Sequence, residues 1–140
     1  MAPKERLHYT DHFIGEVLRQ TRTIAMVGAS PSSARPSNFV MKYLQGKSYR
    51  VIPVNPAAAE HVIHGERVYA RLNEVPEPVE MVDVFRSSDA TPQVVDEVIS
   101  QKDRLGIQFV WLQLGVRNEE AARWASAAGL AVIMDRCIKI

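Results

Sequence analysis

Thr23-Ile24-Ala25-Met26-Val27-Gly28-Ala29-Ser30-Pro31-Ser32-Ser33-Ala34-Arg35-Pro36-Ser37 is the stretch that decides the fold. An unbroken apolar run of strand length ends in a glycine. A loop of serines and prolines follows and leads into a helical pattern. A strand that is apolar on both faces belongs in a sheet covered on both sides, which is the habit of parallel sheets. Ser37 is placed to cap a helix carrying Phe39, Val40, Tyr43 and Leu44, running to Gln45 and ended by Gly46.

Outward from this unit the same alternation repeats. Tyr49 to Val54 reads as a second strand, stopped by the turn dipeptide Asn55-Pro56. Met81 to Phe85, Phe109 to Gln113 and Ala131 to Met134 read as a third, fourth and fifth. Helices are expected from Thr10 or Asp11 to Gln20, from Pro92 to about Lys102, and from Asn118 to Gly129. Ala121, Ala122, Trp124 and Ala125 should face inward from the last. The stretch 57–78 is less regular. Val62-Ile63-His64 and Arg67-Val68-Tyr69 flank Gly65-Glu66 as a small ribbon, and Leu72 to Val75 suit one helical turn. Strands alternating with crossover helices give an α/β protein. The expectation is a Rossmann-like three-layer sandwich. Its five-stranded, mainly parallel sheet has helices on both faces and the order 3-2-1-4-5.

A chain of 140 residues suits one domain, here taken as 1–140. It is too short for a nucleotide-binding domain joined to a catalytic one. The net charge of +1, with both signs mixed along the chain, points to no nucleic-acid partner and no anionic membrane. The polar N-terminus lacks a signal-peptide core, and no run reaches the roughly 20 apolar residues of a membrane span. The single cysteine, Cys137, rules out an intrachain disulfide and fits a reducing compartment. A soluble, cytoplasmic protein is expected.

Open parallel sheets bind ligands beyond the carboxyl ends of their strands. Those ends carry Gly28-Ala29-Ser30-Pro31, Asn55-Pro56, Phe85-Arg86-Ser87, Gln113-Leu114-Gly115 and Asp135-Arg136-Cys137. In the first loop, Ser30, Ser32, Ser33 and Ser37 offer hydroxyls and Arg35 a permanent cation at a helix N-terminus. That combination suits a phosphate. The plainer reading is that serine and proline simply shape the helix start. The loop is not G-x-G-x-x-G, because Ser30 and Ser33 replace the later glycines. The second strand ends in Asn55 rather than the acid expected on an NAD ribose. Neither a P-loop nor a G-x-S-x-G elbow is present.

Taken in order, Gly28-Ala29-Ser30-Pro31, Arg35-Pro36-Ser37, Arg50 to Pro56, Val82-Asp83-Val84-Phe85-Arg86, Trp111 to Gly115 and Met134-Asp135-Arg136-Cys137 resemble the small bacterial and archaeal CoA-binding domain proteins. These are similar to the CoA-binding N-terminal domain of the succinyl-CoA synthetase α-subunit. The resemblance runs from about Ile14 to Lys139. It implies coenzyme A, or an acyl-CoA, as the ligand. Ser30 to Ser33 would hold the pyrophosphate, Asn55 and Pro56 would line the adenosine, and Phe85 and Arg86 would border adenine and phosphates. Gln113 to Gly115 would flank the pantetheine arm. On charge alone, Arg35 and Arg50 are candidates for the 3′-phosphate. The synthetase keeps its phosphorylated histidine in a second domain that this chain lacks, so thioester synthesis by this chain alone is not expected.

Cys137 beside Arg136 has two readings. It is an inert thiol, or a thiol with lowered pKa that meets the CoA thiol and forms a mixed disulfide. Asp83, among apolar neighbours, is expected as a satisfied buried carboxylate rather than a catalytic acid. Trp111 and Trp124 are expected in the core. The histidine pairs His8/His12 and His61/His64 lack companions for a metal site. Two rival functions remain: an NADP- or acyl-CoA-dependent enzyme using the same crevice, and an interaction module that lacks a working ligand site and acts by assembly, as a homo-oligomer or with another protein.

Overall fold

The structure, a computed structural model, describes residues 9–113 and 115–138. Five strands form one sheet: β1 (Thr23–Val27), β2 (Arg50–Val54), β5 (Met81–Val84), β6 (Phe109–Leu112) and β7 (Ala131–Ile133). All four pairings are parallel. A two-stranded antiparallel ribbon, β3 (Val62–Ile63) with β4 (Glu66–Arg67), stands apart from it. The helices are α1 (Asp11–Gln20), α2 (Pro36–Gly46), α3 (Thr91–Leu105) and α4 (Glu119–Ala127).

Local chemistry accounts for the helix boundaries. Thr10 caps α1 by accepting the Phe13 N–H at 3.0 Å. Asn118 caps α4 by accepting the Ala121 N–H at 2.9 Å, with Glu119 and Glu120 at the positive end of the helix dipole. α3 carries a proline in its first turn and ends at Gly106, whose φ of 77° is left-handed.

Each strand alternates its side chains between two cores. Ala25, Val27, Val82 and Val84 meet α3 and α4 through Val94, Val95, Val98, Ala121 and Ala125. Ile24, Met26, Met81 and Trp111 meet α1 and α2 through Val17, Val40, Met41 and Leu44. The result is a Rossmann-like α/β fold, with helices on both faces of a wholly parallel sheet.

The strand order differs from the expected 3-2-1-4-5. It is β2-β1-β5-β6-β7, so the third main strand (β5) lies against β1 and not outside β2. Stretch 57–78 holds no apolar strand, and only Tyr69 reaches the outer edge of β2. There Tyr69 forms a single parallel bridge to Val54, donating to Pro53 O at 3.0 Å and accepting from Asn55 N–H at 2.8 Å. The outer strand of the doubly wound order is thus reduced to one residue. A second correction concerns Trp124, which is 46% exposed on α4 rather than inward. Trp111 is buried and donates its indole N–H to Arg136 O at 2.7 Å.

Candidate functional site

The chain reverses direction across the sheet between β1 and β5, and a crevice opens there beyond the strand ends. Gly28 forms its floor. It has a φ of 89°, and a β-carbon built on it would lie 2.4 Å from Phe85 O. Only glycine admits this approach. Gly28 N–H donates to Val54 O, and Phe85 N–H donates to Val27 O, each at 2.8 Å. The exits of β1, β2 and β5 are thereby locked together.

Between β1 and α2 the serine hydroxyls act as acceptors for the loop's own amides. Ser37 Oγ accepts from Ser30 N–H at 3.0 Å, Ser30 Oγ from Ser32 N–H at 3.1 Å, and Ser32 Oγ from Ala34 N–H at 3.3 Å. Asn38 Nδ2 holds Ser30 O at 3.0 Å, and Asn55 Nδ2 holds Ala29 O at 2.7 Å. The loop is therefore preshaped, as the plainer reading held, and of these three hydroxyls that of Ser30 lines the first cleft while Ser37 is buried. Ser37 is not the N-cap. That residue is Arg35, which makes no side-chain capping bond, and Pro36 follows in the first turn. The positive end of α2 is left open toward the crevice. The ribbon buttresses it: His64 Nε2 lies 2.9 Å from Asn38 O and 3.0 Å from Asn38 Oδ1.

One cleft adjoins this helix start, and a second opens beside the first. The first, of about 470 Å³, is lined by Gly28, Ser30, Arg35, Pro36, Asn55, Pro56, Ala57, Phe85 and Arg86. Seven of the residues singled out in the sequence meet here. The other, of about 510 Å³, shares Pro56 and Arg86 with the first. Val27, Val54, Ala70 and Val94 give it apolar wall, and Arg71, Gln93, Asp96, Glu97 and Ser100 give it polar groups. Burial raises the Glu97 carboxyl, offset in part by the Leu72 backbone bond and by the Arg71 charge. Sequence reading missed this second cleft. Arg71 follows the one-residue strand at Tyr69, which carries no apolar run, and the lining face of α3 reads as ordinary amphipathic helix.

Other expected site residues lie elsewhere. Ala29 is buried beneath the loop. Pro31, Ser32 and Ser33 are exposed on it and line neither cleft. Arg50 opens β2 at the amino end of the sheet, four residues and roughly 13 Å of strand from the crevice. It pairs there with Glu66 at 2.9 Å and Glu77 at 2.8 Å, so charge alone misplaced it. Gln113, Gly115 and half-buried Cys137 sit beyond β6 and β7 and line neither cleft. Gly115, with a φ of 86°, donates its N–H to Asp135 Oδ1 at 2.7 Å. Leu114, His8 and Lys139 lie outside the described residues.

Asp83 is wholly buried on β5, just below the crevice. Its Oδ1 accepts from Gln113 Nε2, and its Oδ2 has no hydrogen-bond partner. Burial pushes this carboxyl up to about 7, against the smaller lowering effect of the Gln113 bond. The expected satisfied carboxylate is in fact half satisfied.

A doubly wound sheet with an open helix N-terminus at its point of reversal defines a ligand-binding domain of Rossmann type. Within that class the chain belongs to the CoA binding domain family, whose model matches residues 22–140. It is 37% identical over 127 residues to the uncharacterized protein YneT of Bacillus subtilis, covering 91% of this chain and 90% of that protein. It is also 32% identical over 82 residues to an ADP-forming acetate–CoA ligase of Archaeoglobus fulgidus, covering 59% of this chain but only 12% of the ligase. Among solved structures, a Thermus thermophilus protein superposes with a TM-score of 0.86 at 37% identity, covering 94% of this chain and 95% of that one.

Proposed function

We propose that residues 1–140 act as one cytoplasmic domain that binds coenzyme A or an acyl-CoA across the two joined clefts, and that it does no chemistry alone. The observation that carries this reading is the junction of the clefts at Pro56 and Arg86, with the open N-terminus of α2 lining the first of them. The pyrophosphate takes the helix start, meeting the Ser30 hydroxyl and the cations Arg35 and Arg86. Pro56 and the apolar wall of the second cleft take the adenine face. Gln93, Asp96 and Glu97 supply polar groups to its edge. Among the described residues neither cleft is lined by a cysteine or histidine, which supports a carrier or sensor over a thiol- or imidazole-based catalyst.

Calorimetry of the ligand-stripped protein with CoA, acetyl-CoA, NAD and NADP tests the reading. Micromolar binding of the CoA species with both dinucleotides silent is expected. Binding of NADP alone would favour the enzyme reading, and silence toward every CoA species would overturn the proposal.

A further inference from the structure

Asp83 and Gln113 are absorbed by neither cleft, yet they sit at the sheet's point of reversal. Side-chain alternation along β5 puts Val82 and Val84 on the α3 face and Asp83 on the opposite one. In register, Asp83 stands between Met26 on β1 and Trp111 on β6. The face of α2 that covers this side of the sheet presents Val40, Met41 and Leu44. None of these neighbours is charged. The charged groups nearest in sequence, Glu80 before β5 and Arg86 past its end, and Asp135 and Arg136 past β7, are not among the influences acting on Asp83, which are burial and Gln113 alone.

A buried carboxyl with one partner has two low-cost arrangements. When ionised, it accepts from the amide N–H of Gln113. When neutral, that arrangement would strand either its own O–H or the proton-bearing oxygen. Turning the Gln113 amide over lets the acid O–H donate to Gln113 Oε1. The atom then left without a partner is a carbonyl oxygen, the least costly group to bury unpaired. The two amide ends are interchangeable in shape, so the exchange needs only rotation about the last side-chain torsion. Gln113 is 5% exposed and directly follows β6 at the carboxyl end of the sheet.

We propose that Asp83 and Gln113 form a proton-coupled amide switch, in which uptake of one solvent proton by Asp83 turns the outer end of Gln113 from an acceptor into a hydrogen-bond donor. Asp83 is then a positioning residue acting through Gln113. The donor state suits a ligand rich in phosphate and carbonyl oxygens, such as CoA or an acyl-CoA, and this part rests on the function proposed above. The elevated carboxyl pKa places the exchange near neutral pH.

The switch is tested first without ligand. NMR of the stripped protein follows the Gln113 side-chain amide and the Asp83 carboxyl carbon from pH 5.5 to 8.5. Both should titrate with one shared midpoint, and the Gln113 change should vanish in Asp83→Asn. A flat Gln113 signal, or an Asp83 midpoint below pH 5, would overturn the switch whatever the protein binds. Calorimetry with CoA over the same range reads the ligand side. Wild-type affinity should fall with rising pH more steeply than that of Asp83→Asn, by about tenfold for each tenfold change that the ligand makes in the Asp83 protonation constant. The phosphates of CoA titrate alike against both proteins, so the difference isolates Asp83. Gln113→Met, which keeps length and loses the amide, should likewise lose the excess slope. Equal slopes in all three proteins would overturn the coupling to ligand. No CoA binding at any pH would instead count against the proposed function, leaving the NMR result to decide the switch.

Discussion

Replacing Asp83 with asparagine should change how the stability of the fold depends on pH, and the size of the change follows from burial. The carboxyl moves from an ordinary 3.8 to about 7 because the sheet and helix α2 exclude water from its charged form. The folded protein therefore holds this proton more tightly than the unfolded chain does. Folding takes up a proton between the two values. The group's contribution to stability is fully present below 3.8, is lost as the pH rises through the interval, and is level above about 7. At about 1.4 kcal/mol for each tenfold change in protonation constant, the whole loss is roughly 4 kcal/mol, and more than half of it falls between pH 5 and pH 8. The asparagine of the variant cannot ionise, so its fold escapes this loss, although one of its amide groups is left short of a partner. Urea denaturation of both proteins at pH 5, 6, 7 and 8, with unchanged slopes, gives the difference directly. Other groups titrate equally in the two and cancel. The variant should gain on the wild type by about 2 kcal/mol or more across that range. Curves that stay parallel would mean that Asp83 is ionised and fully solvated or paired in the native state, and the reasoning would fail.

Gly28→Ala should cost about 3 kcal/mol or more, combining a left-handed backbone with a β-carbon forced against the Phe85 carbonyl, and should lower the melting temperature by about 10 °C by calorimetry. Arg86→Met should weaken CoA about 10- to 100-fold by removing a charge-assisted phosphate contact at the junction of the clefts. Arg50→Met should leave CoA affinity unchanged by the same titration, since its guanidinium serves Glu66 and Glu77 at the far end of the sheet.

The elements that sequence made legible are those in which one physical rule dominates. The run from Thr23 to Val27 is apolar on both faces and folds as a central strand. Thr10 or Asp11 before the first amphipathic pattern and Asn118 before the last are the candidate caps, and Thr10 and Asn118 make the capping bonds. The strand order was less legible because the deciding residue, Tyr69, contributes only one bridge, too short to leave any periodicity. Likewise Arg50 and Arg86 look alike as cations beside strands. Only the direction of the chain tells them apart, since Arg50 enters its strand and Arg86 leaves one. Asp83 stood out as polar among apolar residues, but whether both its oxygens were paired depended on Gln113, 30 residues away.

The residues at the strand ends carry two burdens that pull in different directions. Asn55 closes its own turn by accepting the Ala57 N–H at 3.0 Å, and its other amide end holds Ala29 O at 2.7 Å. Ser30 and Ser37 commit their acceptor capacity to loop amides in the same way. A loop that relied on a ligand to satisfy these groups would have to order itself at the moment of binding, and that ordering would weaken affinity. Here the protein satisfies them in advance, while the groups left over in the first cleft — the Ser30 hydroxyl hydrogen, the open turn of α2 and the Arg35 and Arg86 guanidinium groups — are all donors. A preshaped crevice whose spare capacity is donor-rich favours an oxygen-rich anion, and it does so without the later glycines of a dinucleotide loop. The same logic explains why Asp83 lies beneath it with one oxygen unpaired. A neutral acid adds no negative charge below the crevice proposed to take phosphates, whereas an ionised one would oppose an anionic ligand, so the burial that destabilises its charge also favours the proposed binding above.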